Sequence, residues 1–360
     1  MTLRTKALGA LAPVFIVYAS LSGAAQDQRV ATPAAASTTE TGFVYTADER
    51  GNSISIVDLS KGQVTTIPVR ISPHNVQVSR DGRLALVVGI VAGVHEKMSG
   101  KEQHGENEMG RGRLLIFDTA TMSPKSAVDI GIGRHPAHVI IDSQGSLVYV
   151  TQAEDNTLSV VDVAQRKVVR EIKTGKSPHG LRMSPDGREI YVANTGDNSV
   201  SVIDVARAKE VARIPVGKAP AQVGFTPDGR RVYVSSTVEN SVAVVDTKQR
   251  KRIATIPVGR KPIQVFATPN GRYVYVGNEG TKENPDNRVS VIDTKTNRVV
   301  ATVVTGKGAH GVVISDDGSR AFIANTIDNT ASVIDTATQQ VTRTFKVGEG
   351  SGGITFRSAR

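Results

Sequence analysis

The chain has 360 residues, a formal net charge of +10 and no cysteine. The absence of thiols excludes a disulfide scaffold, thiolate metal sites, covalently attached c-type haem and a cysteine nucleophile. A chain of this length is too long for one small domain unless repeats build it, so internal repeats are the first feature to look for.

The N-terminus differs in composition from the rest of the chain. MTLRTK is basic, ALGALAPVFIVYASL is apolar and SGAAQ consists mostly of small residues, which is the order found in a cleavable signal peptide. The apolar run is shorter than the roughly 20 residues that a membrane span needs. We expect residues 1–25 to be a signal peptide and residues 26–41 a flexible leader. The mature protein is then periplasmic or secreted, monomeric and without a membrane span.

One phrase, typified by SVSVIDVARAKEVARIPVGKAPAQVGFTPDGRRVYVSS, recurs along the chain. Its aspartate stands at seven positions: Asp58, Asp118, Asp162, Asp204, Asp246, Asp293 and Asp335. Asp162, Asp204 and Asp246 are each 42 residues apart, and the longest spacing contains an insertion at residues 89–113. Because every unit carries this aspartate, we interpret it as a turn cap and not as a catalytic carboxylate.

Each unit contains four short runs rich in Val and Ile, partly alternating and bounded by turn residues such as Asp186-Gly187. This pattern is typical of antiparallel strands joined by tight turns. Four strands repeated seven times predict an all-β, seven-bladed β-propeller of four-stranded antiparallel blades over residues 42–360. The repeat region starts with residues typical of a second strand, GFVYTADE, and ends just after residues typical of a first strand, GGITF. Both ends are therefore expected to complete one blade.

The stretch YVANTGDNSVSVID at residues 191–204 resembles the YVTN-repeat propellers. The resemblance extends over about residues 42–357 and implies the propeller fold. It implies little about activity, because relatives range from surface-layer proteins to the haem-bearing propeller of nitrite reductases. Blades 2 and 3 depart from the motif, with LALVVG and YVTQ in its place.

The stretch TGKSPHG at residues 174–180 contains the Gly-Lys-Ser of a phosphate-binding loop. The earlier glycine that such a loop requires would fall at Arg170, and Pro178 follows where a helix should begin. A nucleotide site is therefore excluded here. The stretch is instead one of seven copies of the loop that leads into the first strand of a blade, here called the connecting loop.

The connecting loops carry a repeated cation and a repeated polar residue. Because first strands line the channel of a propeller, these loops are expected to surround one channel mouth. The residues predicted to bind an anionic ligand there are Arg134, Lys176, Lys218, Arg260 and Lys307, with Gln222 and Gln264. The alternative interpretation is that each loop is a plain solvated turn.

Five of the seven histidines also lie in the connecting loops. Four of them follow the proline position and are candidate metal ligands: His74, His138, His179 and His310. Neutral imidazoles without thiolates suit copper or zinc. The alternatives are histidines that cap strands with hydrogen bonds, or that stand too far apart to share one ion.

The insertion at residues 89–113 is a second candidate metal site. It carries imidazole and thioether groups, which suit copper or zinc: His95, Met98, His104 and Met109. The alternative is a flexible, Gly-rich polar loop in which these residues are incidental.

Since no recognised catalytic motif is present, the leading expectation is an exported non-enzymatic binding or scaffold protein. Its basic, histidine-ringed face would bind an anionic small molecule, a polymer or an envelope protein. Nucleic acid is a weaker candidate, because only 4% of residues are aromatic and Trp is absent.

Two alternatives remain open. The first is a metal- or haem-dependent redox protein or metal carrier that uses the histidine ring. The second is a propeller lyase or lactonase, with His310 or His179 as base beside a loop acid such as Glu154 or Glu239.

Overall fold

The computed structural model describes residues 41–92 and 111–359, and every regular element in these ranges is a β-strand. The predicted signal peptide, nearly all of the predicted leader, and the candidate ligands His95, Met98, His104 and Met109 lie outside the described residues. No helix able to cross a membrane occurs in the described part of the chain.

Seven four-stranded antiparallel sheets account for all 28 strands. Blade 1 contains β1 (Phe43–Asp48), β2 (Ser53–Asp58), β3 (Gln63–Pro68) and β28 (Ser351–Arg357). Blade 2 contains β4 (Ile71–Val78), β5 (Leu84–Val91), β6 (Arg111–Asp118) and β7 (Val128–Arg134). Blade 3 contains β8 (Pro136–Ile141), β9 (Leu147–Gln152), β10 (Thr157–Asp162) and β11 (Lys167–Lys173).

Blade 4 contains β12 (Pro178–Met183), β13 (Glu189–Asn194), β14 (Ser199–Asp204) and β15 (Lys209–Pro215). Blade 5 contains β16 (Pro220–Phe225), β17 (Arg231–Ser236), β18 (Ser241–Asp246) and β19 (Lys251–Pro257). Blade 6 contains β20 (Pro262–Ala267), β21 (Tyr273–Gly280), β22 (Pro285–Asp293) and β23 (Arg298–Val304). Blade 7 contains β24 (Ala309–Ile314), β25 (Arg320–Asn325), β26 (Thr330–Asp335) and β27 (Gln340–Lys346).

The predicted fold and its closure are confirmed. In blade 1, β1 pairs on one side with β2 and on the other with β28, so that Thr46 lies opposite Ile354. Strands from the two ends of the propeller thus complete one four-stranded sheet, in which β1 is paired on both sides.

The burial pattern follows the position of each strand within its blade. The second strand EIYVAN and the third strand SVSVID are buried along almost their whole length, because both faces of these strands pack against neighbouring blades. The outermost strand KEVARIP exposes most of its polar residues. Apolar clusters fill the spaces between blades, as where Tyr191 of blade 4 packs with Val232 of blade 5.

The repeated aspartate caps the turn after each third strand, as predicted. Asp204 Oδ1 accepts a hydrogen bond of 2.8 Å from the backbone nitrogen of Arg207. Equivalent bonds are made by Asp58, Asp118, Asp162, Asp246, Asp293 and Asp335. These carboxylates therefore serve the fold.

The departure of blade 2 from the repeat has a steric cause. Gly89 lies opposite Pro73, in the register position that Asn194 occupies opposite Pro178 in blade 4. A Cβ atom at Gly89 would lie 2.0 Å from the carbonyl oxygen of Ser72. Because β4 approaches β5 this closely, only glycine fits where the motif has asparagine.

The first strands β4, β8, β12, β16, β20, β24 and β28 are the innermost strands of their blades and contact one another in sequence around the channel. The connecting loops and the turns between second and third strands lie at one mouth of this channel, which we call the upper mouth. The turns after the first and third strands lie at the lower mouth.

Candidate functional site

Three of the four candidate histidines meet at the upper mouth. His74 on β4, His138 on β8 and His179 on β12 come from consecutive blades, and one ring nitrogen of each lies within 4.8 Å of the others. Their ring centroids are 4.8 to 5.6 Å apart. We call this group the histidine cluster.

The three histidines do not occupy the same position in their first strands. His74 and His179 directly follow Pro73 and Pro178, whereas His138 comes two residues after Pro136 and is 1% exposed. His138 therefore stands one residue farther from the upper mouth along its strand than the other two do. The sequence shows this offset, but only the curvature of three adjacent blades turns it into a cluster.

Hydrogen bonds assign the tautomers of His74 and His179. His179 Nδ1 donates to the carbonyl oxygen of Ala221 at 2.9 Å, and His74 Nδ1 lies 3.3 Å from Glu49 Oε2. Both oxygens only accept, so each Nδ1 carries a hydrogen and each Nε2 of a neutral ring presents a lone pair. These two Nε2 atoms face each other at 3.3 Å. Two lone pairs at that distance repel, so the contact requires either a proton on His74 or a shared cation.

The surroundings shift the pKa values of the three histidines in different directions. Burial, together with the charge of His74, lowers the pKa of His179 to about 3. Burial and the neighbouring imidazoles hold the pKa of His138 well below its usual range. Burial also acts to lower the pKa of His74, but the charge and hydrogen bond of Glu49 outweigh it and raise that pKa. His138 and His179 are therefore neutral at physiological pH, the state in which imidazole binds metals.

His138 is anchored from blade 5. Gln222 Nε2 lies 3.3 Å from His138 Nδ1, and Gln222 Oε1 accepts from the backbone nitrogen of Val223 at 2.9 Å. His138 Nε2 is buried without a hydrogen-bond partner among the described residues. A buried nitrogen in that condition is what a bound ion would satisfy.

His310 lies outside the histidine cluster but lines the same cavity as His74. This upper cavity has a volume of about 490 Å³, and its charged walls are Glu49, Arg50, Lys261, Glu279 and Lys282. His310 Nδ1 donates to the carbonyl oxygen of Gly352 at 3.1 Å. Burial lowers the pKa of His310, so the ring is neutral, and its Nε2 presents a lone pair that no described residue hydrogen-bonds.

None of the five cations predicted from the repeat lines the upper cavity in the described part of the chain. Arg134 Nε donates to Asp155 at 2.8 Å, and Arg260 donates to the carbonyl oxygen of Pro285 at 2.9 Å. Lys176, Lys218 and Lys307 are exposed on the surrounding face.

The two predicted glutamines are buried in the channel wall. Gln222 contacts His138, as described, and Gln264 Oε1 accepts from the backbone nitrogen of Val312 at 3.2 Å. Of the loop acids proposed as partners for a histidine base, Glu154 pairs with His135 at 2.6 Å, on the rim. Ligand binding by these residues stays a prediction.

Sequence reasoning missed Glu49, Lys261 and Glu279. Lys261 Nζ bonds Glu279 Oε2 at 2.6 Å within the upper cavity. Lys261 lies in a connecting loop, directly before Pro262. The sequence predicts Arg260 instead, one residue earlier, because that position carries the repeated cation. Glu49 directly follows the second strand β1 and Glu279 is the next-to-last residue of the second strand β21, and the repeat marks neither position.

Residues 107–211 match the family model described as "Lactonase, 7-bladed beta-propeller". No protein of curated function matches the chain in sequence. The match spans 105 of 360 residues (211 − 107 + 1), and includes His138 and His179 but not His74 or His310.

Solved structures with the same fold include a proposed 6-phosphogluconolactonase from Bacteroides fragilis, at 15% identity and a TM-score of 0.68, covering 89% of this chain and 99% of that one. Another is hydrazine synthase from Kuenenia stuttgartiensis, at 18% identity and a TM-score of 0.65, covering 80% of this chain and 95% of that one. The dihydro-haem d1 dehydrogenase NirN matches at 14% identity and a TM-score of 0.61, covering 88% of this chain and 76% of that one. At these identities the likeness establishes the fold alone.

The leading expectation of a non-enzymatic binding or scaffold protein is wrong, since the family model that matches residues 107–211 describes lactonases. The expectation rested on the absence of a linear catalytic motif. A site assembled from single residues of separate blades leaves no such motif. The resemblance to YVTN-repeat propellers and the export of the protein stay predictions.

Proposed function

We propose that this chain hydrolyses a lactone at the upper mouth, and that the histidine cluster holds a zinc ion for this reaction. The observation that carries the proposal is the convergence of His74, His138 and His179, with one nitrogen of each within 4.8 Å. The lactonase match over residues 107–211 supports the reaction class.

The donor set fits a catalytic zinc ion. Three imidazoles with a fourth position open to solvent or substrate are a common arrangement for such an ion, and copper is the other metal that they suit. Second-sphere bonds are in place, because Glu49 orients His74 and the carbonyl oxygen of Ala221 orients His179. A bound zinc ion would supply a Lewis acid and lower the pKa of a coordinated water.

The residues of the upper cavity supply the other requirements of lactone hydrolysis. In that reaction a water oxygen bonds to the carbonyl carbon, the ring carbon–oxygen bond breaks, and the ring oxygen leaves as a hydroxyl. His310 is placed to move the proton, because its free Nε2 can accept from the attacking water and return the proton to the ring oxygen. The upper cavity seats the ring of the substrate beside His74 and His310.

The charges around the site favour an anionic substrate. Arg50, Lys261 and Lys282 line the upper cavity against Glu49 and Glu279, and the exposed Lys176, Lys218 and Lys307 add positive charge to the same face. Such a face raises the local concentration of anions. A sugar lactone that carries a phosphate or carboxylate is the substrate class we propose.

The test uses the purified full-length chain loaded with zinc. We expect about one bound zinc ion per chain by elemental analysis, and base consumption when 6-phosphogluconolactone is added in a pH-stat. His179→Gln should lower both the zinc content and kcat/KM, the latter at least 100-fold, because a three-ligand site loses one ligand.

His135→Asn is the matched control. His135 lies on the same face outside the histidine cluster and has a φ of 49°, which asparagine tolerates. Zinc content and hydrolysis should be unchanged in this variant. Hydrolysis that survives both chelation and His179→Gln would contradict the metal part of the proposal, and no hydrolysis by the zinc-loaded protein would contradict the reaction. A haem absorption band in the native protein would favour the haem-dependent alternative.

A further inference from the structure

A second cavity, of about 740 Å³, lies at the lower mouth, which is the end of the channel opposite the histidine cluster. One register position of the first strands forms its wall in six of the seven blades: Gln77, Ile140, Arg182, Phe266, Val313 and Thr355. Gly224 holds this position in the remaining blade. The repeat therefore builds a ring at this mouth, and the residues of that ring differ from blade to blade.

Arg182 is the one charged residue of this ring. Burial alone lowers its pKa to about 10, with no neighbouring charge contributing. Its guanidinium donates to the carbonyl oxygen of Leu181 at 3.2 Å and lies 5.5 Å from the ring centroid of Phe266. In the described part of the chain no carboxylate pairs with it. A guanidinium has five N–H donors, so most of those of Arg182 are left for a ligand.

The remaining walls combine apolar and polar side chains, with more cations than anions. Ile141, Met183 and Phe356 contribute apolar surface. Two further arginines, Arg80 and Arg357, line the cavity together with one carboxylate, Asp316. Asp316 accepts a hydrogen bond from the hydroxyl of Ser358, and Arg357 Nε donates to the hydroxyl of Tyr45 at 3.1 Å. Arg182 thus combines a place on the ring of first strands with a neighbouring aromatic ring inside the same cavity, Phe266.

We propose that the lower cavity binds an organic carboxylate with an apolar body, its carboxylate on Arg182 and its body against Phe266 and Phe356. A guanidinium holds a carboxylate through two parallel hydrogen bonds, and the partly buried setting strengthens them relative to water. An uncharged ligand would leave the arginine unpaired, so the site selects for the anion. This inference does not rest on the lactone hydrolysis proposed for the upper mouth.

The experiment measures binding of benzoate to the full-length chain by titration calorimetry at low ionic strength. We expect saturable binding that weakens with added salt, and no measurable binding of benzyl alcohol, which has the same ring without the charge. Arg182→Met keeps an apolar side chain of similar length and should weaken benzoate binding at least tenfold. Arg182→Lys keeps the charge without the paired donors and should weaken it about threefold.

The matched control is Arg188→Met, on the exposed turn after the same strand and outside the lower cavity. Benzoate affinity should be unchanged in this variant. Arg182→Met removes an unpaired, partly buried charge, so the melting temperature of this variant should not fall. If it does fall, the benzoate affinity of Arg182→Lys is compared with that of wild type instead. Equal benzoate affinity in wild type and Arg182→Met would overturn the proposal. Loss of benzoate binding in His74→Gln but not in Arg182→Met would also overturn it, because benzoate would then bind at the upper mouth. Lactone hydrolysis is assayed separately, so either proposal can fail without the other.

Discussion

Asp48 occupies a buried position that asparagine fills in blades 4, 6 and 7. It is 0% exposed and accepts hydrogen bonds from the hydroxyls of Thr46, Ser53 and Ser55. Asn194 in blade 4 bonds the two equivalent hydroxyls, those of Ser199 and Ser201, through its amide nitrogen. The polar site therefore accepts an uncharged amide, which bonds both hydroxyls through its nitrogen while its oxygen is buried without a partner among the described residues.

Burial raises the pKa of Asp48 from 3.8 to about 6, despite the hydroxyl hydrogen bonds that act to lower it. Between these pH values the folded chain holds a proton that the unfolded chain has released. The contribution of Asp48 to the free energy of unfolding therefore falls as pH rises from about 4 to about 6, by about 3 kcal/mol, and does not change further above that range.

Asp48→Asn should remove this pH dependence and raise the free energy of unfolding at pH 7 by about 1–3 kcal/mol. Urea unfolding at pH 4, 5, 6 and 7 measures it. The reverse change, Asn194→Asp, is the control and should lower stability at pH 7. Identical pH profiles for wild type and Asp48→Asn would contradict the raised pKa of this carboxyl.

At the scale of elements, the turn between second and third strands connects neighbouring blades. Asn198 has a φ of 60°, and its Oδ1 accepts a hydrogen bond of 2.9 Å from the backbone nitrogen of Ala219, in the next connecting loop. Asn156, Asn240 and Asn329 repeat both features. Asn287 holds the corresponding place in blade 6, but it lies within β22 and does not have a positive φ, because the turn of blade 6 is longer.

Replacing Asn198 should separate the two contributions of this turn. Asn198→Gly keeps the backbone conformation but loses the bond to Ala219, at a cost of about 1 kcal/mol. Asn198→Ala also strains the backbone and should cost about 2–3 kcal/mol. Thermal unfolding compares them, with Asn287→Ala as the control that should cost less than Asn198→Ala. Equal losses in all three variants would show that neither feature stabilises the turn.

At the scale of the whole molecule, the ring is held closed by backbone hydrogen bonds between β1 and β28. Six residue pairs join these strands, from Phe43 with Arg357 to Asp48 with Ser351. Side chains reinforce the joint, because the guanidinium of Arg357 lies 4.4 Å from the ring centroid of Phe43. Without β28 the edge of β1 would be exposed and free to pair with another chain.

Truncation after residue 350 should therefore convert a single species into associating or unfolded chains, measured by size-exclusion chromatography with light scattering. Truncation after residue 357 keeps β28 and is the control. The shorter chain should also lose the cooperative unfolding transition that the control retains. A stable, non-associating chain that ends at residue 350 would show that the closing strand is dispensable.

The repeat made the fold predictable, because four alternating runs and their turn residues occur in each of seven units and leave few other ways to bury the apolar side chains. It also predicted the mouth at which His74, His138, His179 and His310 lie. The repeat could not show which of them meet, since that depends on how far each side chain reaches toward a shared axis. Glu49 and Glu279 were missed for the same reason, because carboxylates at strand ends are common and only their distances to other residues of the upper cavity distinguish these two.

By itself, the sequence determined the architecture of this protein: local patterning decides the strands, and the aspartates and asparagines decide the turns. Only the tertiary structure decided what lies at the two ends of the channel: three imidazoles meet at one mouth, and at the other no carboxylate of the described residues pairs with Arg182. The physical reason is that strands form from neighbours along the chain, whereas a channel wall takes one residue from each blade, tens of residues apart in sequence.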